Sequence, residues 1–377
     1  MTILIGRSGT ICKINMRYKY LDTARLLMMI LGVIMHSAGF FAIESDQAVY
    51  FDERFQQFSV FVAIIHIFRM PVFFMIAGFL GAMALEHYPD IKFIERRTHR
   101  LLVPFAIGVA FLNPATLRLI EDQPLLGGHY PAMHLWFLPV LFIAACLHQA
   151  FFGPNILKRF LQNAPVMDSA VAECLAFLTF GILVFVCRHI FWHLPLQDLT
   201  SLTGGYVDFV QFGELFIYYV AGAFLYHFRD QMDVILGRWP HYLSVVILYF
   251  FLKSFSALNA NLMMFLQGLT TVAICLLVLG FCRFCLPESF AKPWVSNFSY
   301  SLYLFHLPVL ILLRKPVMDL THLTSLRFVL MCTSTICICV ALHMLIIRSK
   351  LLSYFLNGES QAIKERHKFG AGACHVA

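Results

Sequence analysis

In this chain of 377 residues, 60% are hydrophobic and only 13% charged, with a mean hydropathy of +0.75, a composition that excludes a water-soluble globule. Its formal net charge of +7 sits in short basic clusters between apolar runs, which argues against nucleic acid as a partner and marks membrane topology instead. Apolar runs long enough to cross a bilayer recur throughout, so the expected fold class is all-α: a polytopic transmembrane helical bundle of about ten spans.

No secretory signal peptide is expected, because the runs MTILI and ICKIN ahead of Tyr18 are too weak to form an apolar core and no cleavage site follows. The first span then acts as the targeting signal. Residues 1–20 read as a cytoplasmic tail, and the part before Met16 as either an upstream-start extension or a loose tail. The spans are expected at about 21–42, 58–85, 101–119, 134–152, 170–188, 209–228, 241–258, 261–281, 298–313 and 325–347. Their even number puts both termini on one side. The segments on that side hold nineteen lysines and arginines, among them Lys92, Arg96, Lys158, Arg159, Arg229 and Arg283, against four on the other, Arg54, Arg188, Arg314 and Lys315. Both termini are therefore expected in the cytoplasm. Residues 21–347 form the transmembrane domain and 348–377 a basic tail whose short interfacial helix rests on anionic membrane lipid. The eleven cysteines are mostly scattered singly in apolar runs, where a thiol acts as a small hydrophobe. Cys282 and Cys285 form a lone Cys-x-x-Cys without nearby histidines, a weak zinc or redox signal, and no metal site is expected.

Ionisable groups inside a bilayer cost ~3 kcal/mol or more each at the centre, so they mark sites and call for partners. The first span, LDTARLLMMILGVIMH, carries Asp22 and Arg25 at its start and His36 deeper in. On a helix Arg25 and His36 point within about 20° of one another, with Asp22 about 40° to the other side of His36, and His36 lies about 16 Å along the axis from Arg25. Snorkelling at the interface would account for Asp22 and Arg25, and a hydrogen bond to a neighbouring helix for His36. In the second span, IIHIFRMPVFFMIAGFLG, His66 and Arg69 share a face, Pro71 bends the helix beside them, and Gly78 and Gly81 admit a close neighbour. Arg69 there needs an anionic or acceptor partner.

The run FIERRTHRLLVP places Arg96, Arg97 and Arg100 at the mouth of the third span. They read either as a positive-inside flank or as a phosphate clamp, since guanidinium forks suit phosphate oxygens. HYPAMHLWFLPVL places His134 and Trp136 at the start of the fourth span, where an interfacial aromatic belt explains the tryptophan better than the histidine. In FSYSLYLFHLPVL, Tyr300, Tyr303 and His306 step about 60° each around the ninth span, to line a polar cavity or to glue helices together. No Gly-x-x-x-x-Gly-Lys loop, Gly-x-Gly-x-x-Gly turn or His-Glu-x-x-His pair is found, which disfavours an ATPase, a dinucleotide enzyme and a metalloprotease.

Taken together, the Arg-x10-His spacing of Arg25 and His36 behind LD, FFMIAGF, the Arg-x-x-Arg of Arg97 and Arg100 ahead of LLVPF, HLWFLPVL and SYSLYLFHLPV resemble the acyltransferase-3 family of integral membrane proteins. HIFRMPVFFMIAGFL and HLWFLPVL look most like its glucan biosynthesis protein C branch. Ala77 stands where the family has the serine of Ser-Gly-Phe, so any role of that hydroxyl is missing. No fused hydrolase-like domain is seen, which implies the bare membrane module.

The resemblance implies a multi-pass protein of the bacterial inner membrane. It would move an acyl group from cytoplasmic acyl-coenzyme A (succinyl- or acetyl-coenzyme A) to a hydroxyl of a periplasmic or surface glycan, with osmoregulated periplasmic glucan as acceptor. Acyl-coenzyme A is then a co-substrate rather than a bound cofactor, and glucan-synthesis machinery a further partner. Carried onto this sequence, His36 is the base, with Arg25 and Asp22 beside it on one helix face. Arg25, Arg97 and Arg100 hold phosphates or polarise the donor, while His66, Arg69, His134, Trp136, Tyr300, Tyr303 and His306 line the cavity. A transient acyl-histidine also fits. Two other classes compete: a flippase or transporter of glycan or acyl donor, which the intramembrane charges fit equally well, and a non-catalytic scaffold, which needs no buried ionisable cluster.

Overall fold

The computed structural model describes residues 18–43, 54–121, 132–152, 170–254, 259–287 and 293–357. Most of the N-terminal tail, the last twenty residues of the basic C-terminal tail, and Lys158 and Arg159 lie outside them. Among the described residues all regular structure is helical. Eight helices are long and apolar enough to cross a membrane. They are α1 (Lys19–Gly39), α2 (Gln56–His87), α3 (Asp90–Ile120), α4 (Met133–Phe151), α6 (Phe209–His227), α8 (Ala260–Phe284), α9 (Pro293–Leu320) and α10 (Thr324–Arg348). Two further crossings are bent. Helix α5 (Ala170–His193) turns by 64° into the short helix Leu196–Leu202, and the segment Arg229–Gly237 turns by 56° into α7 (Trp239–Lys253). Pro195 and Pro240 stand at these two breaks, where a residue without an N–H ends one helix and opens the next. A last short helix, α11 (Lys350–Asn357), follows α10.

Helix α1 packs against α2, α8, α9 and α10 and so runs through the middle of the bundle. Helices α2 and α6 make the most intimate crossing. A Cβ at Gly78 would strike the backbone carbonyl of Tyr219, and one at Gly222 that of Met75, so glycine on each side brings the two backbones into contact. Around this crossing Met28, Val72, Phe74, Met75, Leu138, Tyr219 and Leu304 form the buried core. The outer helices expose apolar side chains instead, among them Leu178 and Ile182 on α5, Ile247 and Leu248 on α7, and Val329 and Met344 on α10. This is the surface a bilayer covers.

Two spans extend beyond the hydropathy pattern. Helix α3 begins at Asp90, eleven residues before the expected start, because the charged run DIKFIERR is amphipathic and buries Phe93. Two π-helical turns, Thr98–Leu102 and Gly108–Leu112, then flank Pro104, which cannot donate to a regular ladder. Helix α9 likewise continues past Arg314 and Lys315 to Leu320.

Candidate active site

A cavity of about 350 Å³ opens among α1, α2, α4, α6, α8 and α9. Met29, Gly32 and His36 reach it from α1 at i, i+3, i+7, one face of the helix. From α2 come His66, Ile67, Arg69 and Pro71, from the start of α4 His134 and Trp136, and from α9 Tyr303 and His306. Pro71 lacks the N–H that would meet the Ile67 carbonyl one turn back, so the helical ladder is interrupted at the cavity wall.

Backbone carbonyls fix two of the imidazoles. His306 Nδ1 lies 3.1 Å from the Leu302 carbonyl oxygen and 2.7 Å from that of Tyr303. Carbonyl oxygens only accept, so Nδ1 carries the proton and Nε2, buried and without a hydrogen-bond partner, presents a lone pair. His134 is held in the opposite tautomer: Nε2 donates to the Leu304 carbonyl at 3.1 Å, while Nδ1 is buried without a partner. The Tyr303 hydroxyl donates to the His134 carbonyl at 2.7 Å, so two reciprocal hydrogen bonds stitch α4 to α9. Met133, next to His134, has φ +47°, a left-handed conformation uncommon for a non-glycine residue. Ring centroids lie 5.2 Å apart for His36 and His306 and again 5.2 Å for His134 and His306, so the three imidazoles form a continuous row.

Arg69 is the exception. The sequence called for an anionic or acceptor partner; among the described residues no carboxylate pairs with Arg69, and its Nε is buried without a hydrogen-bond partner. Its electrostatic neighbours are the Tyr303 phenol and the imidazoles of His36, His66 and His306. Its guanidinium lies against Gly32, where a Cβ would collide with it.

The far wall was not singled out from the sequence. It carries Arg188, Asp208, Gln211, Glu214, Gln267 and Thr271, with Arg188 and Glu214 paired at 3.9 Å and Asp208 capping α6 through the Gln211 N–H at 2.9 Å. Asp208, Gln211 and Glu214 recur every three residues at the start of an apolar span, a polar stripe that could have flagged them.

The remaining candidates gather at the other end of the bundle. Asp22 and Arg25 pair at 3.8 Å and do not line the cavity. Tyr300 also lies off it, its hydroxyl donating to the Arg100 carbonyl at 2.9 Å within electrostatic reach of the Arg25 and Arg100 side chains. Arg97 stacks 5.2 Å over the Phe93 ring and lies near Tyr219 and Arg100, Arg96 stacks 3.9 Å over Tyr88, and Arg100 is exposed. Helix α9 joins the two ends, because the Tyr300 and Tyr303 rings are 6.4 Å apart and Tyr303 and His306 6.3 Å. Cys282 and Cys285 are unbridged, and among the described residues no three His, Cys, Asp or Glu side chains converge to hold a metal ion.

The family model for the acyltransferase domain matches residues 18–344, a stretch that holds both the histidine row and the arginine cluster. The chain belongs to the acyltransferase-3 family. It is similar to the glucans biosynthesis protein C of Escherichia coli K12, 26% identical over 233 residues that cover 56% of this chain and 59% of the relative. The proteins of that name from Escherichia coli O1:K1 and O9:H4 match with the same identity and coverage. The chain thus spans about three fifths of the length of the curated relatives it matches. No solved structure matches it. Family and fold together make this chain a multi-pass membrane protein of the acyltransferase-3 family. Chemically, lone pairs of fixed direction beside a guanidinium can supply a base and a stabiliser of negative charge.

Proposed function

We propose that this membrane acyltransferase moves an acyl group, succinyl or acetyl, from cytoplasmic acyl-coenzyme A to a hydroxyl of a periplasmic or surface glycan at the bacterial inner membrane. The observation that carries the reading is the row of three imidazoles in a cavity within the bundle, joined through Tyr303 and Tyr300 to arginines at the other end. The relatives' name, glucans biosynthesis protein C, supports a glucan as acceptor. The excess of lysine and arginine on one side supports a cytoplasmic location for the arginine end. There Arg25, Arg97 and Arg100 take the phosphates of the donor, whose extended arm carries the thioester to the cavity.

A sugar hydroxyl is a poor nucleophile until it loses its proton. His36 takes that proton as the hydroxyl oxygen attacks the thioester carbonyl carbon, the new C–O bond forms, and the carbonyl π pair moves onto oxygen. Collapse of this tetrahedral species breaks the C–S bond and expels the coenzyme A thiolate, which takes the proton from the imidazolium. His306 and His134, each with one ring nitrogen left without a partner, accept hydrogen bonds from the acceptor hydroxyl or from His36.

Mass spectrometry of surface and periplasmic glycans, with and without the gene, tests the reading. Loss of one ester from otherwise normal glycan is expected. Glycan that instead accumulates in the cytoplasm would mean transport without bond formation.

A further inference from the structure

Two cations line the cavity, and they are treated differently. Arg188 is paired with Glu214 at 3.9 Å, and Arg69 with no carboxylate among the described residues. A buried guanidinium left without a counter-charge is costly. Among the described residues its electrostatic neighbours are three imidazoles and the Tyr303 phenol, and none of them is a carboxylate. Two of the cavity's imidazoles, His306 and His134, are held by backbone carbonyls and keep one ring nitrogen without a partner, so they supply acceptors and no negative charge.

The sequence spends a glycine to seat this cation. Gly32 lies within α1, where glycine is unfavourable, and any side chain there would displace the Arg69 guanidinium. Gly32 is one helical turn from His36, about 6 Å along the axis on the same face. His36 and Gly32, within one helical turn, and Arg69 thus line the same cavity.

We infer that Arg69 is a catalytic residue, the donor that receives the oxyanion of the tetrahedral species through its N–H groups. The inference rests on the acyl-transfer reading above. The missing counter-charge is then supplied by the reaction: negative charge appears beside the guanidinium when the carbonyl π pair moves onto oxygen, and leaves when the C–S bond breaks. A cation matched by a fixed carboxylate would be worth less at that moment, because the two charges already satisfy each other. This is differential stabilisation of the transition state over the ground state.

The test uses the full-length protein in lipid nanodiscs with acyl-coenzyme A and purified glycan. Arg69→Gln should lower kcat roughly 10²–10³-fold while KM for each substrate stays within about threefold. Arg69→Lys should restore part of the loss. A coenzyme A trifluoromethyl ketone, which forms a tetrahedral hydrate, should lose affinity for Arg69→Gln by a similar factor, whereas a thioether analogue that has no carbonyl should bind wild type and variant alike. A raised KM for glycan or weaker thioether binding, with kcat preserved, would assign Arg69 to a ground-state anion and overturn the inference. Should Arg69→Gln fail to fold, Gly32→Ala keeps the charge and moves the guanidinium; kcat should fall with KM held, and an unchanged kcat overturns the proposal. A wild type that transfers no acyl group overturns the underlying reading, whereas an active wild type with a fully active Arg69→Gln overturns this inference alone.

Discussion

The cavity and the arginine end hold their polar side chains by different means. Around the histidine row the backbone does the holding: carbonyls of Leu302, Tyr303 and Leu304 fix the protons of His306 and His134, and the Tyr303 hydroxyl locks α4 to α9. At the other end side chains hold one another. Asp22 pairs with Arg25 at 3.8 Å, Glu86 with Arg229 at 4.0 Å, and Asp233 with Arg283 at 2.8 Å, while Arg96 rests on an aromatic ring. Backbone acceptors cannot rotate away, so they define the direction of a lone pair, which proton transfer requires. Ion pairs with some access to solvent exchange partners more cheaply than buried backbone bonds, which would suit the proposed capture and release of a phosphate-bearing donor. One end is built for direction and the other for exchange.

Substitutions break or sharpen that contrast. The largest effect is expected from His36→Ala, which removes the proposed base: transfer should fall by ~10²–10⁴ at matched protein level, measured as ester content of the glycan. Near-normal ester content would move the base to another imidazole of the row. Next, replacing Arg97 and Arg100 together with glutamine should raise KM for acyl-coenzyme A on the order of tenfold and leave KM for glycan unchanged. Steady-state kinetics in membrane vesicles read this directly, and unaltered donor affinity would return both residues to a topological role.

Tyr303→Phe is expected to act more gently, because it removes one buried hydrogen bond and little volume. A loss of about 1 kcal/mol in stability, read as a lower melting temperature in detergent, should accompany a severalfold lower kcat as His134 loosens. The smallest effect is expected from Asp233→Asn. Its side chain is 62% exposed and that of Arg283 39% exposed, so the change should cost ~0–1 kcal/mol and leave transfer intact. A larger loss there than for Tyr303→Phe would contradict the division between the two ends.

Much of this architecture is legible in the sequence, for one reason: a charged or imidazole group in an apolar window stands out against its surroundings. His36, His66, Arg69, His134, Tyr303 and His306 were found that way, and all of them line one cavity. Tyr300 belongs to the same stripe, but two 60° steps carry it about 120° from His306, enough to turn it to the Arg100 carbonyl. Arg188, Asp208, Gln211 and Glu214 were not read as site residues because each sits near a span end, where polarity is ordinary, and they meet only once α5 and α6 pack. Eight long apolar helices could be read from hydropathy, but the bends of 64° and 56° in the two further helix pairs could not. Pro195 and Pro240 mark them only when their place between two helical segments is known. The early start of α3 was hidden because hydropathy registers charge and overlooks amphipathic periodicity.

The glycine contact between α2 and α6 also gives the site a fulcrum. Arg69 lies nine residues from Gly78, about 14 Å along α2, so a wedge at the crossing tilts a long arm that carries the cation. A single methyl at Gly78 or Gly222 would meet backbone rather than a yielding side chain, and the tilt would be felt where Arg69 faces Gly32. Helices α2 and α6 are thereby held together at one point, with Arg69 on one and Glu214 on the other at the ends of two arms that share it.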